Sequence, residues 1–234
     1  MKIFKQIESY KKRIAIVSNN EQFTYGYLIE RSNLIASFLL NNKEDLMEEK
    51  IGLLLNPDIN YICTLWGIWK AGGVAVPLSL SAKKDELKHY ISDCNIKLII
   101  SSNTYKYQKV IPKSNGLNII EIEKINIKER KHLPSIKSER KAMILYTSGT
   151  TNKPKGVVTT HMNVESQITT LVEAWEWNQE DHIPLFLPLH HIHGIINSLS
   201  CPLFIGAKVT MMGPFDTEKV CSQVASNDFT VFTA

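Results

Sequence analysis

No stretch of this sequence is apolar for long enough to span a bilayer, and its first residues, Met1 to Glu8, lack the apolar centre of a signal peptide. Neither a transmembrane segment nor an exported chain is expected. The four cysteines, Cys63, Cys94, Cys201 and Cys221, stand far apart and form no CxxC pair. They read as reduced core thiols in a cytoplasmic protein. Internal repeats and low-complexity tracts are also absent. A large excess of either charge is missing as well: charged residues make up 21%, with 27 basic against 23 acidic and a net charge of +4. That mild excess suits an anionic ligand and does not imply nucleic acid. What is present is apolar material: 44% of the 234 residues are hydrophobic, ample for a large core.

The apolar residues fall into strands and helices that alternate. Arg13 to Val17 reads as a strand, Asn19-Asn20 as a turn, and Thr24 as the N-cap of a helix from Tyr25 to about Leu40. Ile51 to Leu55 is an unbroken apolar run of the kind found in buried parallel strands. A helix striped by Ile59, Ile62, Cys63, Trp66 and Trp69 follows, and Gly72-Gly73 stops it. Val74 to Leu78 is the next strand, Lys84 to Asp93 a helix burying Leu87, Tyr90 and Ile91, and Lys97 to Ile100 a further strand. Ser101 to Lys141 is polar. Its charged cluster, Lys128 to His132, reads as a solvated connection or as a contact for a cofactor phosphate, and Ile119 to Ile122 as an edge strand. Further on, Asn163 is expected to cap a helix with a buried stripe of Val164, Ile168, Leu171, Val172 and Trp175. Leu185 to Leu189 reads as a strand, Ile195 to Phe204 as a helix ended by Gly206, and Lys208 to Met212 as a strand. A helix capped by Asp216 and a strand from Phe229 to Thr233 complete the pattern. Strands alternating with helices predict an α/β protein with a largely parallel sheet.

Tyr146 to Val157 carries the chemistry. Thr147, Ser148, Thr150 and Thr151 place four hydroxyls around Gly149, and Pro154 stands between Lys153 and Lys155. Gly149 and Gly156 are expected to free the backbone by adopting positive φ. Hydroxyls and successive backbone N–H groups make a concave donor surface for a polyphosphate, and a lysine adds a mobile charge. The spacing is not that of a Walker A loop, because six residues separate Gly149 from Gly156 and Lys155 precedes the second glycine. The stretch resembles the phosphate loop of the adenylate-forming (AMP-binding) superfamily, in particular acyl-CoA synthetases. It departs from the family pattern at Asn152, where a glycine is usual; asparagine also tolerates left-handed backbone. The passage Lys70 to Leu78, at its distance before the loop, is similar to the same superfamily.

His190, His191 and His193 form a second constellation, ahead of Gly194. On an extended chain His191 and His193 would share a face, as a metal site needs, but no further ligand stands at suggestive spacing. Hydrogen-bonded core histidines are another reading. The segment also resembles a second superfamily signature, matched by Pro188, His191 and Gly194. That resemblance implies that His191 lies between the substrate carboxylate and the α-phosphate, with His193 and Gly194 near the acyl pocket. It implies phosphate contacts for Thr147, Ser148, Gly149, Thr150, Thr151 and Lys155.

The resemblance further implies layered, largely parallel sheets flanked by helices, as in the N-terminal domain of adenylate-forming enzymes. The implied reaction is ATP-dependent activation of a carboxylic acid, fatty or short and dicarboxylic such as malonate, through an acyl-adenylate and then a coenzyme A thioester. ATP, Mg²⁺ and coenzyme A are the implied cofactors, the last two held largely by residues outside this chain. Residues 1–234 would be the first part of the family's large domain, without its second half or its small C-terminal domain. A carrier-protein-loading adenylation module and a non-catalytic nucleotide-binding fragment are alternative readings.

Overall fold

Asn19 and Asn20 both adopt positive φ, 52° and 64°, so the first two strands close into a tight hairpin. In the computed structural model, which describes residues 2–102, 116–126, 129–147, 153–213, 215–226 and 229–233, helices and strands then alternate along the chain. α1 is Lys2–Ile7, β1 Ile14–Ser18, β2 Glu21–Thr24, α2 Tyr25–Leu40, β3 Lys50–Leu54, α3 Ile59–Lys70, β4 Val74–Pro77, α4 Lys84–Asp93, β5 Leu98–Ser101 and β6 Asn118–Glu121. β7 is Lys141–Thr147, β8 Lys155–Thr160, α5 His161–Ala174, β9 His182–Leu185, α6 Cys201–Ile205, β10 Lys208–Met211 and α7 Thr217–Ser226. A π-helix, His193–Ser200, leads into α6. Thr24 caps α2 as expected, its hydroxyl accepting the Tyr27 N–H at 3.2 Å.

The chain divides into two units. One comprises residues 31–56 and 60–161 and holds a six-stranded sheet in the order β6-β5-β3-β4-β7-β8. All its pairings are parallel except β7 with β8, which form an antiparallel hairpin. α3 is buried all round from Tyr61 to Lys70, rather than along the single stripe expected from the sequence. It packs closely on α2: a Cβ on Gly67 would come within 2.7 Å of the Ile35 side chain. Lys70 ends the helix by donating to Ser32 Oγ at 2.7 Å and Asn33 Oδ1 at 2.8 Å. β6 lies at the sheet edge, where Ile119 and Ile120 were expected. Glu129 to His132 are exposed, as a solvated connection requires.

The other unit comprises residues 1–30, 57–59 and 162–234 and holds a four-stranded sheet, β2-β1-β10-β9, parallel except at the β1–β2 hairpin. The buried Tyr25 hydroxyl donates to the Ala207 carbonyl at 2.7 Å. Several expectations are corrected here. α5 begins at His161, so Asn163 lies within its first turn and does not cap it. Glu176 turns the chain at φ 54°, which leaves Trp175 exposed and buries Trp177 in its place. β9 spans His182–Leu185 and not Leu185 to Leu189, because its partner β10 ends at Met211 and offers no ladder beyond. Phe229 to Thr233 forms no strand; Thr230 and Val231 both direct their N–H to the His182 carbonyl. Of the four free cysteines, Cys221 is exposed and is not a core thiol.

Candidate active site

β7 and β8 carry the hydroxyl- and lysine-bearing loop. Their ladder runs from Lys141↔Thr160 to Thr147↔Lys155, so the hairpin closes on two of the expected phosphate contacts. Thr147 and Lys155 are both exposed at its mouth. Ser148, Gly149, Thr150 and Thr151, with Asn152, lie outside the described residues. The mouth is at the carboxyl end of β7. β7 lies beside β4, and the two strands lead away in opposite directions: β4 through α4 to β5 on the far side of β3, β7 into β8. Open α/β sheets take their ligands at such a divergence.

The hairpin is held at both ends. At its base, Arg140 donates to Asp45 through two bonds of 2.6 and 2.9 Å and to the Gly72 carbonyl at 2.6 Å. The guanidinium holds the Asp45 carboxyl below its ordinary range. Gly72 has φ 80°, and a Cβ there would overlap the Asp45 carboxylate, so glycine is required on both counts. The Arg140 carbonyl accepts the His161 N–H at 3.0 Å. His161 itself is 1% exposed, and neither ring nitrogen has a hydrogen-bond partner. It stands edge-on to Trp69 with centroids 5.9 Å apart, and burial pushes its pKa down to about 4.

At the tip, Tyr146 is paired with Gly156 across the ladder. Gly156 is not among the positive-φ residues, contrary to expectation. Its role is spatial: a Cβ would lie 2.9 Å from Ile144 Cγ2 and 3.5 Å from the Tyr146 ring. Tyr146 donates its hydroxyl to Asp93 at 2.6 Å and accepts from the Cys94 thiol at 3.1 Å. Its ring lies against Tyr90 at 4.2 Å. Burial and the Asp93 carboxylate raise the phenol's pKa, so it stays a donor. None of these α4 contacts was visible in the sequence motif, because α4 lies far upstream of it.

In the other unit, His190, His191 and His193 do not lie on an extended chain. A turn follows β9, with the His191 N–H bonded to the Pro188 carbonyl at 3.2 Å, and the π-helix begins at His193. Gly194 makes this turn possible: a Cβ there would sit 2.6 Å from the Pro188 carbonyl oxygen. His191 is exposed. Its ring lies 4.2 Å from that of His190, which burial holds at a pKa of about 4. His193 Nε2 is buried without a partner, and so is Asn197 Oδ1 one turn later. Asn197 was not singled out from the sequence. Both atoms lie in the π-helix, and buried polar atoms ordinarily have a partner. His182 is structural: its ring lies 2.7 Å from Thr210 Oγ1, and its N–H donates to Thr230, whose hydroxyl donates to Asp181. Among the described residues no group of three or more His, Cys, Asp or Glu could hold a metal ion, so the metal reading of the histidines finds no support in them.

The chain belongs to the AMP-binding enzyme family, whose model matches residues 3–234. Among individual proteins it is 32% identical to the mitochondrial malonate–CoA ligase of Homo sapiens, over 97% of this chain and 41% of that protein. It is 32% identical to a malonate–CoA ligase of Arabidopsis thaliana, over 93% and 40%. The chain therefore spans about two fifths of the length of these curated relatives. Among solved structures, the O-succinylbenzoate coenzyme A synthetase of Bacillus subtilis in complex with AMP aligns with a TM-score of 0.86 at 20% identity, covering all of this chain and 48% of that one. The N-terminal subdomain of Klebsiella oxytoca NpsA aligns with a TM-score of 0.86 at 19% identity, covering 58% of that chain. These likenesses establish the fold: mostly parallel sheets flanked by helices, as in the N-terminal part of adenylate-forming enzymes. No described helix is long and apolar enough to cross a membrane.

Proposed function

We propose that this chain supplies the phosphate loop and acyl-side histidine of an acid–thiol ligase that activates a carboxylic acid with ATP and passes the acyl group to coenzyme A. The observation that carries the reading is the β7–β8 hairpin, which closes on Thr147 and Lys155 at the carboxyl end of β7 where neighbouring strands diverge. In the first step a carboxylate oxygen bonds to the α-phosphorus and the α–β phosphoanhydride bond breaks, so that pyrophosphate leaves with developing charge. Thr147, Ser148, Gly149, Thr150, Thr151 and Lys155 are assigned to the β- and γ-phosphates, where fixed donors stabilise that charge. His191 is assigned to the carboxylate and α-phosphate oxygens, and its exposure leaves it accessible to both. His193 and Gly194 are assigned to the acyl side, next to His191 in the same turn.

The relatives' names point to malonate, a dicarboxylate, as the acid class. In this reading a Mg²⁺ arrives as the counter-ion of ATP, and no described residue is assigned to it. The four free cysteines suit a reducing compartment such as the cytoplasm. The test is acid-dependent ATP–pyrophosphate exchange by the protein carrying this chain, with malonate, acetate and a long-chain fatty acid compared. Exchange stimulated most by malonate supports the reading; no exchange with any acid, alongside normal folding, rejects it.

A further inference from the structure

One face of α4 touches both arms of the phosphate-loop hairpin. Residues 89, 90, 93 and 94 share that face at helical spacing. Tyr90, Asp93 and Cys94 all meet Tyr146 on the incoming strand. His89 meets the same ring edge-on, with centroids 5.9 Å apart. It also places Nε2 2.9 Å from the carbonyl oxygen of Pro154, on the outgoing arm. A carbonyl can only accept, so Nε2 must carry the proton. α4 is itself anchored: Leu87, Tyr90 and Ile91 are buried in the sheet's core cluster, and Glu86 accepts the Lys83 N–H at 2.7 Å at the helix start.

The Pro154 carbonyl belongs to the peptide whose N–H is that of Lys155. The two groups point in opposite directions across one plane. Fixing the carbonyl toward α4 therefore turns the Lys155 N–H away from α4 and sets the direction in which Lys155 enters β8. We propose that His89 is a positioning residue for the phosphate loop, holding the Pro154–Lys155 peptide so that Lys155 meets a nucleotide polyphosphate already oriented. This rests on the phosphate role of Lys155 proposed above. It adds a residue 65 positions upstream of its partner Pro154 that no motif includes.

The contact has little packing to lose. His89 is half-buried and borders an open cleft of about 440 Å³, lined also by Asp85, Lys88, Ser92 and Lys153. Trimming it removes a hydrogen bond and an edge-on contact with the Tyr146 ring, and creates no closed cavity. Loss of one such bond from a pre-set donor array is worth about five- to tenfold in affinity.

The experiment is calorimetric titration of the protein carrying this chain with ATP, together with thermal unfolding, for the parent and the variants His89→Ala, His89→Gln, His89→Glu and Lys155→Ala. Glutamine keeps an N–H where Nε2 stands, whereas glutamate of similar bulk offers only acceptors to the Pro154 carbonyl. The expected result is that His89→Ala and His89→Glu bind ATP about five- to tenfold more weakly, with His89→Gln near the parent and melting temperatures unchanged. Parental ATP affinity in His89→Glu, with Lys155→Ala impaired, overturns the positioning role and leaves the phosphate role standing. The same holds if Gln and Glu lose affinity equally, or if weakened binding tracks a fall in melting temperature. Unaltered binding in Lys155→Ala, or none in the parent, removes the phosphate role and this inference with it. Should His89→Ala fail to fold, the Gln–Glu pair decides alone.

Discussion

The two candidate segments are built on opposite plans. The β7–β8 hairpin is held by side chains reaching in from elsewhere: Arg140 with Asp45 at its base, and Tyr146, Asp93 and His89 at its tip. The histidine turn is held by its own backbone, with the Pro188 carbonyl pressed into space that only Gly194 leaves open. The first plan makes a loop's geometry depend on residues distant in sequence. The second makes it depend on the volume of one residue and frees the histidine rings for other work.

The sharpest break in that comparison is Lys155→Ala. Because the scaffold beneath it is side-chain-built and remains intact, exchange should fall by about 2–4 kcal/mol in kcat/KM with no shift in the unfolding midpoint. Equal exchange in variant and parent would refute the assignment. Next is acid. His161 is held neutral at a pKa of about 4 against an ordinary 6.5, so the unfolded chain takes up its proton first as pH falls. Its contribution to stability is present above pH 6.5 and is lost between about 6.5 and 4, by up to about 3 kcal/mol. His161→Phe should flatten denaturant midpoints across that window. His190 is also held near 4 but is only half-buried, and His190→Phe should flatten them less.

Smaller effects separate the histidine turn's chemistry from its architecture. His191→Ala should cost about 1.5–3 kcal/mol in adenylate formation, the range for a hydrogen bond to a charged group, while melting stays put. Normal activity with a large stability loss would return His191 to the structural residues. Gly194→Ala should do the reverse at first sight, lowering the unfolding free energy by about 1–3 kcal/mol because the new methyl meets the Pro188 carbonyl. A denaturant series on both variants distinguishes them.

Much of this was legible in the sequence because it is local. Thr24, the Asn19-Asn20 turn and the α4 stripe of Leu87, Tyr90 and Ile91 announce themselves within a few residues. The closure of a hairpin on Thr147 and Lys155 was likewise signalled by the hydroxyl–glycine–lysine run between two apolar stretches. What stayed hidden depends on partners. β9 ends where β10 ends, which no periodicity in Leu185 to Leu189 reveals. Trp175 and Trp177 exchange roles because Glu176 adopts a left-handed turn. Gly156 looked like a hinge and is a clearance for the Tyr146 ring and Ile144, a role set by the facing strand. His89 carries no signature at all, since its partner enters from another part of the chain.

The eight-residue π stretch from His193 to Ser200 has a bearing on ancestry and engineering. Its ends are fixed, one by the crowding at Pro188 and the other by α6 and the strand that follows Gly206. Its wider coil takes up surplus backbone between them. A single-residue deletion there would let the coil tighten to ordinary α geometry, swinging His193 and Asn197 to new bearings while β10 keeps its register. Under the acyl-side role proposed for His193, chain length at this one spot becomes a way to change acid preference.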